Sequence, residues 1–140
     1  MIRVTPLLLD TCALIWIAED ADLAPEAVAA MNAAFKANQP VSVSPISAWE
    51  RGLLIAKGRM NSPIPPKVWF DRVMRVGSLR LANLSPDILA DASFLPGAIH
   101  KDPADRIIIA TARALDLTVV TRDAHILRYA AQGHVRALAC

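Results

Sequence analysis

The chain has 140 residues, of which 54% are hydrophobic and 20% are charged, and its formal net charge is +2. This composition excludes an intrinsically disordered chain, and the length suits one domain with its own core. The small positive charge is compatible with a polyanionic partner but does not require one. We therefore expect a single domain over residues 1–140.

Two cysteines, Cys12 and Cys140, lie far apart and belong to no CxxC motif. Neither a zinc site nor a disulfide framework is expected, and a reducing cytoplasm is the expected location. The apolar N-terminus is interrupted by Asp10 and no cleavage site follows, which argues against a signal peptide. No segment reaches the roughly 18 uncharged apolar residues of a membrane span, so we expect no membrane association.

Apolar strands alternate with helices along the chain. The first half is predicted to contain a strand at 4–10, helices at 11–18 and 24–38, a strand at 41–44, a helix at 45–57, a loop at 61–67 and a helix at 68–76. The second half is predicted to contain a short strand at 79–84, a helix at 85–95, a helix that begins within 100–106, a strand at 117–121, a helix at 122–132 and a strand at 134–139. Strands that are apolar throughout, alternating with helices, indicate an α/β fold with a parallel sheet covered on both faces.

Two aspartates follow predicted strands. Asp10 closes the first strand in LLLDT, and Asp123 follows the strand LTVVT. Ligand sites of open parallel sheets lie beyond the carboxyl ends of the strands, so both side chains lie at the chemically useful end. Each aspartate alone is a weak indication, because aspartates also favour strand ends and helix caps. Thr11 and Thr121 adjoin these acids and are candidates to orient ligands or water.

The stretch HKDPADR, residues 100–106, precedes an apolar run. Pro103 suits the first position of a helix, which makes Asp102 the predicted N-cap. This structural role leaves Asp105, one turn further on, unexplained. It is either an acid favoured by the helix dipole or part of a functional site.

Glu50 lies on an apolar face of the helix predicted at 45–57. Its neighbours four residues before and three and four residues after are Ile46, Leu53 and Leu54. A buried carboxylate without a partner is costly. A salt bridge to a distant arginine is one explanation, and a metal ion is the more economical one.

Four acids together form a candidate acidic pocket: Asp10, Glu50, Asp105 and Asp123. Two carboxylates roughly 5 Å apart repel by about 3 kcal/mol at an effective dielectric constant near 20, so protons or a cation must neutralise several of them. Oxygen ligands of this kind select Mg²⁺ or Mn²⁺ rather than zinc. Such an ion recruits phosphate groups, which suits hydrolysis of a phosphodiester.

The segments LLLDT, SAWE, HKDPADR and VVTRD, in this order and spacing, resemble the PIN domain, specifically the bacterial VapC-like ribonuclease toxins. The resemblance covers essentially the whole chain, and HKDPADRIIIATA followed by LTVVTRD is its most specific part. It implies an α/β/α sandwich with a parallel sheet in the order 3-2-1-4-5. It also implies Mg²⁺- or Mn²⁺-dependent endonucleolytic cleavage of RNA that leaves a 5′-phosphate and a 3′-hydroxyl. The family's acids fall on Asp10, Glu50, Asp105 and Asp123, and Thr11 matches its hydroxyl residue.

The resemblance further implies two protein partners, a second copy of the chain and a small VapB-like antitoxin. The apolar helices TCALIWIA and AVAAMNAAF leave surface for such partners to cover. One departure is Cys12, which stands where many relatives carry a histidine. That histidine is not a metal ligand in the family.

The contacts to RNA phosphates are less well defined by the sequence. Six cations are candidates, each of which could equally belong to the solvated surface or to an internal ion pair: Arg51, Lys57, Arg59, Arg106, Arg122 and Arg128.

Other reaction classes fit the sequence less well. A cysteine hydrolase would need Cys12 beside His100, His125 or His134, which their spacing does not favour. A phosphoaspartate phosphatase would need a DxD motif at the first strand, where this chain has DTC. A receiver domain would need paired early acids and a lysine after the last strand, both missing. The open alternative is a non-catalytic module with the PIN fold that acts only through protein partners.

Overall fold

The computed structural model describes residues 4–99 and 101–140, within which the chain forms five strands and seven helices. The strands are β1 Leu7–Leu9, β2 Val41–Val43, β3 Arg80–Leu81, β4 Thr118–Thr121 and β5 Arg136–Ala139. The helices are α1 Thr11–Ala18, α2 Pro25–Lys36, α3 Ile46–Ala56, α4 Pro66–Val76, α5 Pro86–Ala92, α6 Pro103–Leu115 and α7 Ala124–Ala131. In these described parts, no helix combines the length and the apolarity needed to cross a membrane.

The five strands form one parallel sheet in the order β3-β2-β1-β4-β5. Leu7 of β1 pairs with Val41 on one side and with Thr118 on the other. In chain order, β2 and β3 extend the sheet on one side of β1, and β4 and β5 then extend it on the other side. The carboxyl ends of β1 and β4 therefore flank the point where the strand order reverses, which is the usual ligand position in such sheets.

Alternate residues of β1 supply two separate cores. Leu7 and Leu9 pack with residues of α1, α2 and α4 on one face of the sheet. Leu8 packs with Ile108 of α6 and Tyr129 of α7 on the other face. A smaller cluster joins α5 to α6. The predicted α/β/α sandwich with strand order 3-2-1-4-5 is confirmed.

Several predicted boundaries differ from the structure. The first strand is limited to Leu7–Leu9, and the strand predicted at 79–84 is reduced to the two exposed edge residues Arg80–Leu81. Helix α4 begins at Pro66, inside the predicted loop 61–67, because proline is well suited to a first helical position. Helix α5 ends at Ala92 rather than at residue 95.

Candidate active site

A cavity of about 200 Å³ lies where β1 and β4 end. All four predicted acids line it: Asp10, Glu50, Asp105 and Asp123. We call it the acidic cavity. The parallel sheet, α3 and the start of α6 thus bring together carboxylates that are far apart in sequence.

Asp10 is buried, with 4% of its surface exposed, and both of its carboxylate oxygens accept hydrogen bonds. Oδ1 accepts the amide of Ala13 at 2.7 Å, which caps the start of α1. Oδ2 accepts the hydroxyl of Thr121 at 2.5 Å. Burial raises the pKa of Asp10 above its ordinary value; the two hydrogen bonds oppose this rise, and the charge of Asp123 adds to it.

Thr121 connects the two aspartates that follow strands. Its buried hydroxyl donates to Asp10 and accepts the amide of Asp123 at 2.9 Å. The Asp123 carboxylate in turn caps α7, where Oδ1 accepts the amides of His125 at 2.8 Å and Ile126 at 3.0 Å. The threonine hydroxyl therefore fixes the position of both acids.

Glu50 faces the acidic cavity from α3 and is half-buried. The hydroxyl of Thr11 donates to Glu50 Oε1 and lies 2.8 Å from the hydroxyl of Ser47. Burial is the main cause that raises the pKa of Glu50 to about 7. The hydrogen bond from Thr11 lowers this pKa, and the negative charges of nearby aspartates raise it further: Asp105, Asp102 and Asp10. The salt bridge to a distant arginine is not found among the described residues.

The start of α6 has the predicted arrangement. Pro103 is the first residue of the helix, and Asp102 Oδ1 accepts the amide of Asp105 at 3.1 Å, so the predicted N-cap is confirmed. Asp105 is half-buried and lines the acidic cavity. Its position agrees with a functional acid, while its role as a ligand stays a prediction.

Three helices begin at the acidic cavity, each at one of the predicted acids. Asp10 is the N-cap of α1, Asp123 is the N-cap of α7, and Asp105 lies in the first turn of α6. The amide ends of helices carry partial positive charge, which stabilises carboxylates and attracts anions. Asp10 and Asp123 thus combine the two roles that the sequence allows, a helix cap and an acid of the candidate site.

Ser47 is a further residue that the sequence interpretation missed. It is fully buried and its hydroxyl contacts that of Thr11. Its place three residues before Glu50, on the same side of α3, was the only signal in the sequence.

Cys12 lines the acidic cavity, and burial and the negative charges there raise the pKa of its thiol. Partial burial of its thiol raises its pKa to about 11, with further contributions from the charges of all four acids. The thiol is therefore protonated at neutral pH and is a poor nucleophile. Of its candidate bases, His134 stacks on Tyr129 at 4.7 Å between ring centroids, and His100 lies outside the described residues. The thiol's protonation adds to the case against a cysteine hydrolase.

Two of the arginines predicted as candidates to contact phosphate interact with other parts of the protein. Arg122 lines the acidic cavity, but its guanidinium stacks 4.0 Å from the ring centroid of Trp16 and donates to the carbonyl of Asp22 at 2.6 Å. Arg106 donates to the carbonyls of residues 92 and 93 at the end of α5. Both side chains thus have structural roles.

Arg51 does not fit the predicted role of phosphate contact. It is buried, and its guanidinium lies 3.8 Å from the ring centroid of Trp69. Its Nε and Nη1 atoms are buried without a hydrogen-bond partner among the described residues. Burial lowers its pKa, which the charge of Glu19 partly opposes. The side chain points into the packing between α3 and α4 rather than into the acidic cavity.

The donor chemistry of the acidic cavity fits a hard divalent cation. Four carboxylates and the hydroxyls of Thr11 and Thr121 supply oxygen atoms of the kind that Mg²⁺ and Mn²⁺ bind. In residues 4–99 and 101–140, however, no group of three or more carboxylate, histidine or cysteine side chains is arranged so that it could hold a metal ion. The donors fit by type, and their present spacing does not form a complete ligand set.

Comparison with known proteins identifies the family. A model of the PIN domain matches residues 7–132. The chain is 33% identical over 120 residues to Ribonuclease VapC22 of Mycobacterium tuberculosis. The aligned residues cover 85% of this chain and 88% of the relative.

Solved structures share the fold. One is VapBC2 from Rickettsia felis bound to a DNA fragment from its promoter, with a TM-score of 0.68, 16% identity, and coverage of 96% of this chain and 98% of that chain. Another is a toxin–antitoxin complex from Klebsiella pneumoniae, with a TM-score of 0.52, 25% identity, and coverage of 84% and 86%. With its parallel sheet, its cluster of acids and these matches, the chain belongs to the PIN domain family.

Proposed function

We propose that this protein is a metal-dependent endoribonuclease that acts as the toxin of a toxin–antitoxin pair. The observation that carries the proposal is the convergence of four carboxylates on one cavity where three helices begin. The relationship to a protein named as a ribonuclease supports RNA as the substrate. A cytoplasmic location follows from the proposed substrate.

Asp10, Glu50, Asp105 and Asp123 would hold one or two Mg²⁺ or Mn²⁺ ions. When bound, such ions neutralise the acids and the scissile phosphate and lower the pKa of the attacking water. Protons and the cation compete for Glu50, because its pKa of about 7 leaves much of it protonated at neutral pH. Cation binding is therefore expected to strengthen as the pH rises.

The chain's own residues position the acids and the phosphate for the reaction. Thr121 holds Asp10, Thr11 holds Glu50, and the starts of α1, α6 and α7 favour a phosphate anion in the acidic cavity. In the reaction a water oxygen bonds to phosphorus while the bond from phosphorus to the 3′-oxygen breaks. The water loses a proton and the departing 3′-oxygen gains one, so that the products are a 5′-phosphate and a 3′-hydroxyl.

The protein partners are proposed to be a second copy of the chain and a small antitoxin. The similarity to a toxin–antitoxin complex from Klebsiella pneumoniae supports the antitoxin. A groove of about 480 Å³ between α1, α2 and α4 offers a suitable surface, which we call the apolar groove. Ile17, Phe35 and Val76 contribute to its lining, and Trp69 forms part of its base. Light scattering should give twice the 15.1 kDa mass of one chain, and a strictly monomeric species at micromolar concentration would count against the homodimer.

The test of the nuclease is sequencing of RNA 5′ ends after the protein is induced in cells, beside an Asp10→Asn variant. Asparagine keeps an oxygen that can accept the amide of Ala13, so the variant is expected to fold. New 5′ ends should appear with the wild type alone. Identical ends in both cultures would contradict the nuclease and favour the non-catalytic module.

A metal titration of the purified protein gives a second measurement. Mn²⁺ should raise the melting temperature of the wild type, because it binds the folded state, and should do so far less in Asp10→Asn or Glu50→Ala. Equal shifts in all three proteins would place the metal elsewhere. Cation binding without RNA cleavage by preparations free of antitoxin would again favour the non-catalytic module.

A further inference from the structure

A second groove, of about 350 Å³, adjoins the acidic cavity. Thr11, Cys12 and Glu50 line both spaces, so the two lie side by side. Helix α3 and the start of α6 form its walls, and we call it the α3 groove. A polymer whose scissile phosphate lies in the acidic cavity could continue into this groove.

Trp49 lines the α3 groove and is 52% exposed. The other two tryptophans are each covered by an arginine: Trp16 by Arg122 at 4.0 Å and Trp69 by Arg51 at 3.8 Å. Among the described residues, no ring and no cation covers the face of Trp49. A large aromatic side chain beside the acidic cavity therefore has a face free for stacking.

Two cations lie along the same groove. Lys57 follows the end of α3 and Arg59 lies just beyond it, and both are exposed. Neither side chain forms an ion pair with another described residue. Three other cations of the predicted phosphate-contact set are held within the protein: Arg51, Arg106 and Arg122. Arg128 lines neither the acidic cavity nor the α3 groove. Lys57 and Arg59 are thus the cations of this set that are both unpaired and next to the site.

We infer that the α3 groove binds a nucleotide next to the scissile phosphate, with its base stacked on Trp49 and its phosphates near Lys57 and Arg59. The inference rests on the proposed nuclease function and specifies its substrate. In a duplex both faces of a base are already stacked, so a free base requires single-stranded RNA. The protein should therefore prefer unpaired segments, with little preference for the identity of the stacked base.

The direct test of stacking is the fluorescence of the protein with a single-stranded RNA 12-mer of mixed sequence in EDTA. RNA should quench the wild-type emission, because a base covers the exposed indole. Trp49→Phe should remove most of the quenching while the RNA still binds, since a phenyl ring also stacks. A matching RNA duplex should quench less.

The kinetic test uses the same 12-mer with Mn²⁺. Trp49→Ala should raise KM roughly 5- to 100-fold with a smaller change in kcat, and Trp49→Phe should restore most of the loss. Phe94→Ala is the matched control, because Phe94 is 86% exposed and lies outside both spaces. Melting curves verify that each variant folds.

The phosphate contacts are tested by the salt dependence of KM. The double variant Lys57→Gln, Arg59→Gln should reduce the slope of log KM against log salt by about 1–2. Arg75→Gln, at the end of α4 and exposed, is the control and should keep the wild-type slope.

Three results would overturn the inference. If the wild type cleaves RNA and the Trp49 and cation variants have its KM and salt slope, the α3 groove does not bind RNA and the proposed function stands. If Trp49→Ala instead changes the mass in solution while cleaving normally, the groove is a surface for protein. If the wild type cleaves no RNA, the proposed function fails and this inference fails with it.

Discussion

Glu50 shows how one side chain can set the pH response of the protein. Its pKa rises from an ordinary value of 4.5 to about 7, chiefly through burial, so the folded state holds a proton that the unfolded state has released over this range. Because the folded state binds more protons, stability from this group is present below pH 4.5 and is lost as the pH rises through 7.

We therefore predict that Glu50→Gln reduces this dependence in metal-free protein. Between pH 5 and pH 8 the wild type should lose about 1–3 kcal/mol more of its free energy of unfolding than the variant does. Urea unfolding in EDTA at both pH values measures the difference, from which titrating groups that do not interact with Glu50 cancel. Glu26→Gln, which removes an exposed carboxylate on α2, is the matched control. Equal pH dependence in wild type and Glu50→Gln would contradict the prediction.

At the scale of elements, helix α6 begins with two aspartates whose positions separate a cap from a candidate ligand. Asp102 accepts the amide of Asp105, and asparagine can accept the same bond. Asp102→Asn should therefore cost less than about 1 kcal/mol and keep most of the RNA cleavage. Asp105→Asn should lower the cleavage rate roughly 100- to 1,000-fold, because an amide is a poorer ligand for a hard cation. Melting curves and cleavage rates with Mn²⁺ measure both effects.

The opposite outcome of this comparison is equally informative. If Asp105→Asn cleaves RNA like the wild type, then Asp105 is an acid favoured by the helix dipole and has no catalytic part. The Asp102→Asn variant controls for loss of charge at the same helix end.

Local signals predicted the helix starts where a cap and a proline occur together. Ser85 caps α5 and Asp102 caps α6, each followed by a proline in the first position, and both starts were predicted. The lengths of β1 and β3 were overestimated, because a strand ends where its neighbour stops pairing with it. Such pairing depends on distant parts of the chain, which apolar runs do not reveal.

The acidic cavity was predictable for a related reason. Parallel strands place their carboxyl ends at one edge of the sheet, so Asp10 and Asp123 had to be near each other once the strand order 3-2-1-4-5 made β1 and β4 neighbours. The hydrogen bond from Thr11 to Glu50 and the burial of Arg51 against Trp69 were not predictable. They depend on how α3 packs against α1 and α4, and no short sequence pattern specifies that packing.

At the scale of the whole molecule, apolar surface remains exposed on opposite sides. Val76 is 82% exposed at the rim of the apolar groove, beside Phe35. Phe94 is 86% exposed after α5, on the other side of the sheet. The apolar groove has a lining suited to a segment of a partner protein, and Arg72 in its wall could pair with a carboxylate on that segment.

We predict that Val76→Lys weakens capture of the antitoxin by roughly tenfold or more, because a charge at the rim of the apolar groove would be desolvated by the partner. RNA cleavage by the isolated variant should be unchanged, since Val76 lies outside the acidic cavity and the α3 groove.

The test uses three tagged proteins purified from the source cells: the wild type, Val76→Lys and, as the matched control, Phe94→Lys. Small proteins bound to them are identified by mass spectrometry. The protein bound to the wild type is then purified and titrated against RNA cleavage by each variant. It should inhibit the wild type and Phe94→Lys at the same concentration and Val76→Lys only at a higher one. Equal inhibition of all three would show that the antitoxin does not use the apolar groove.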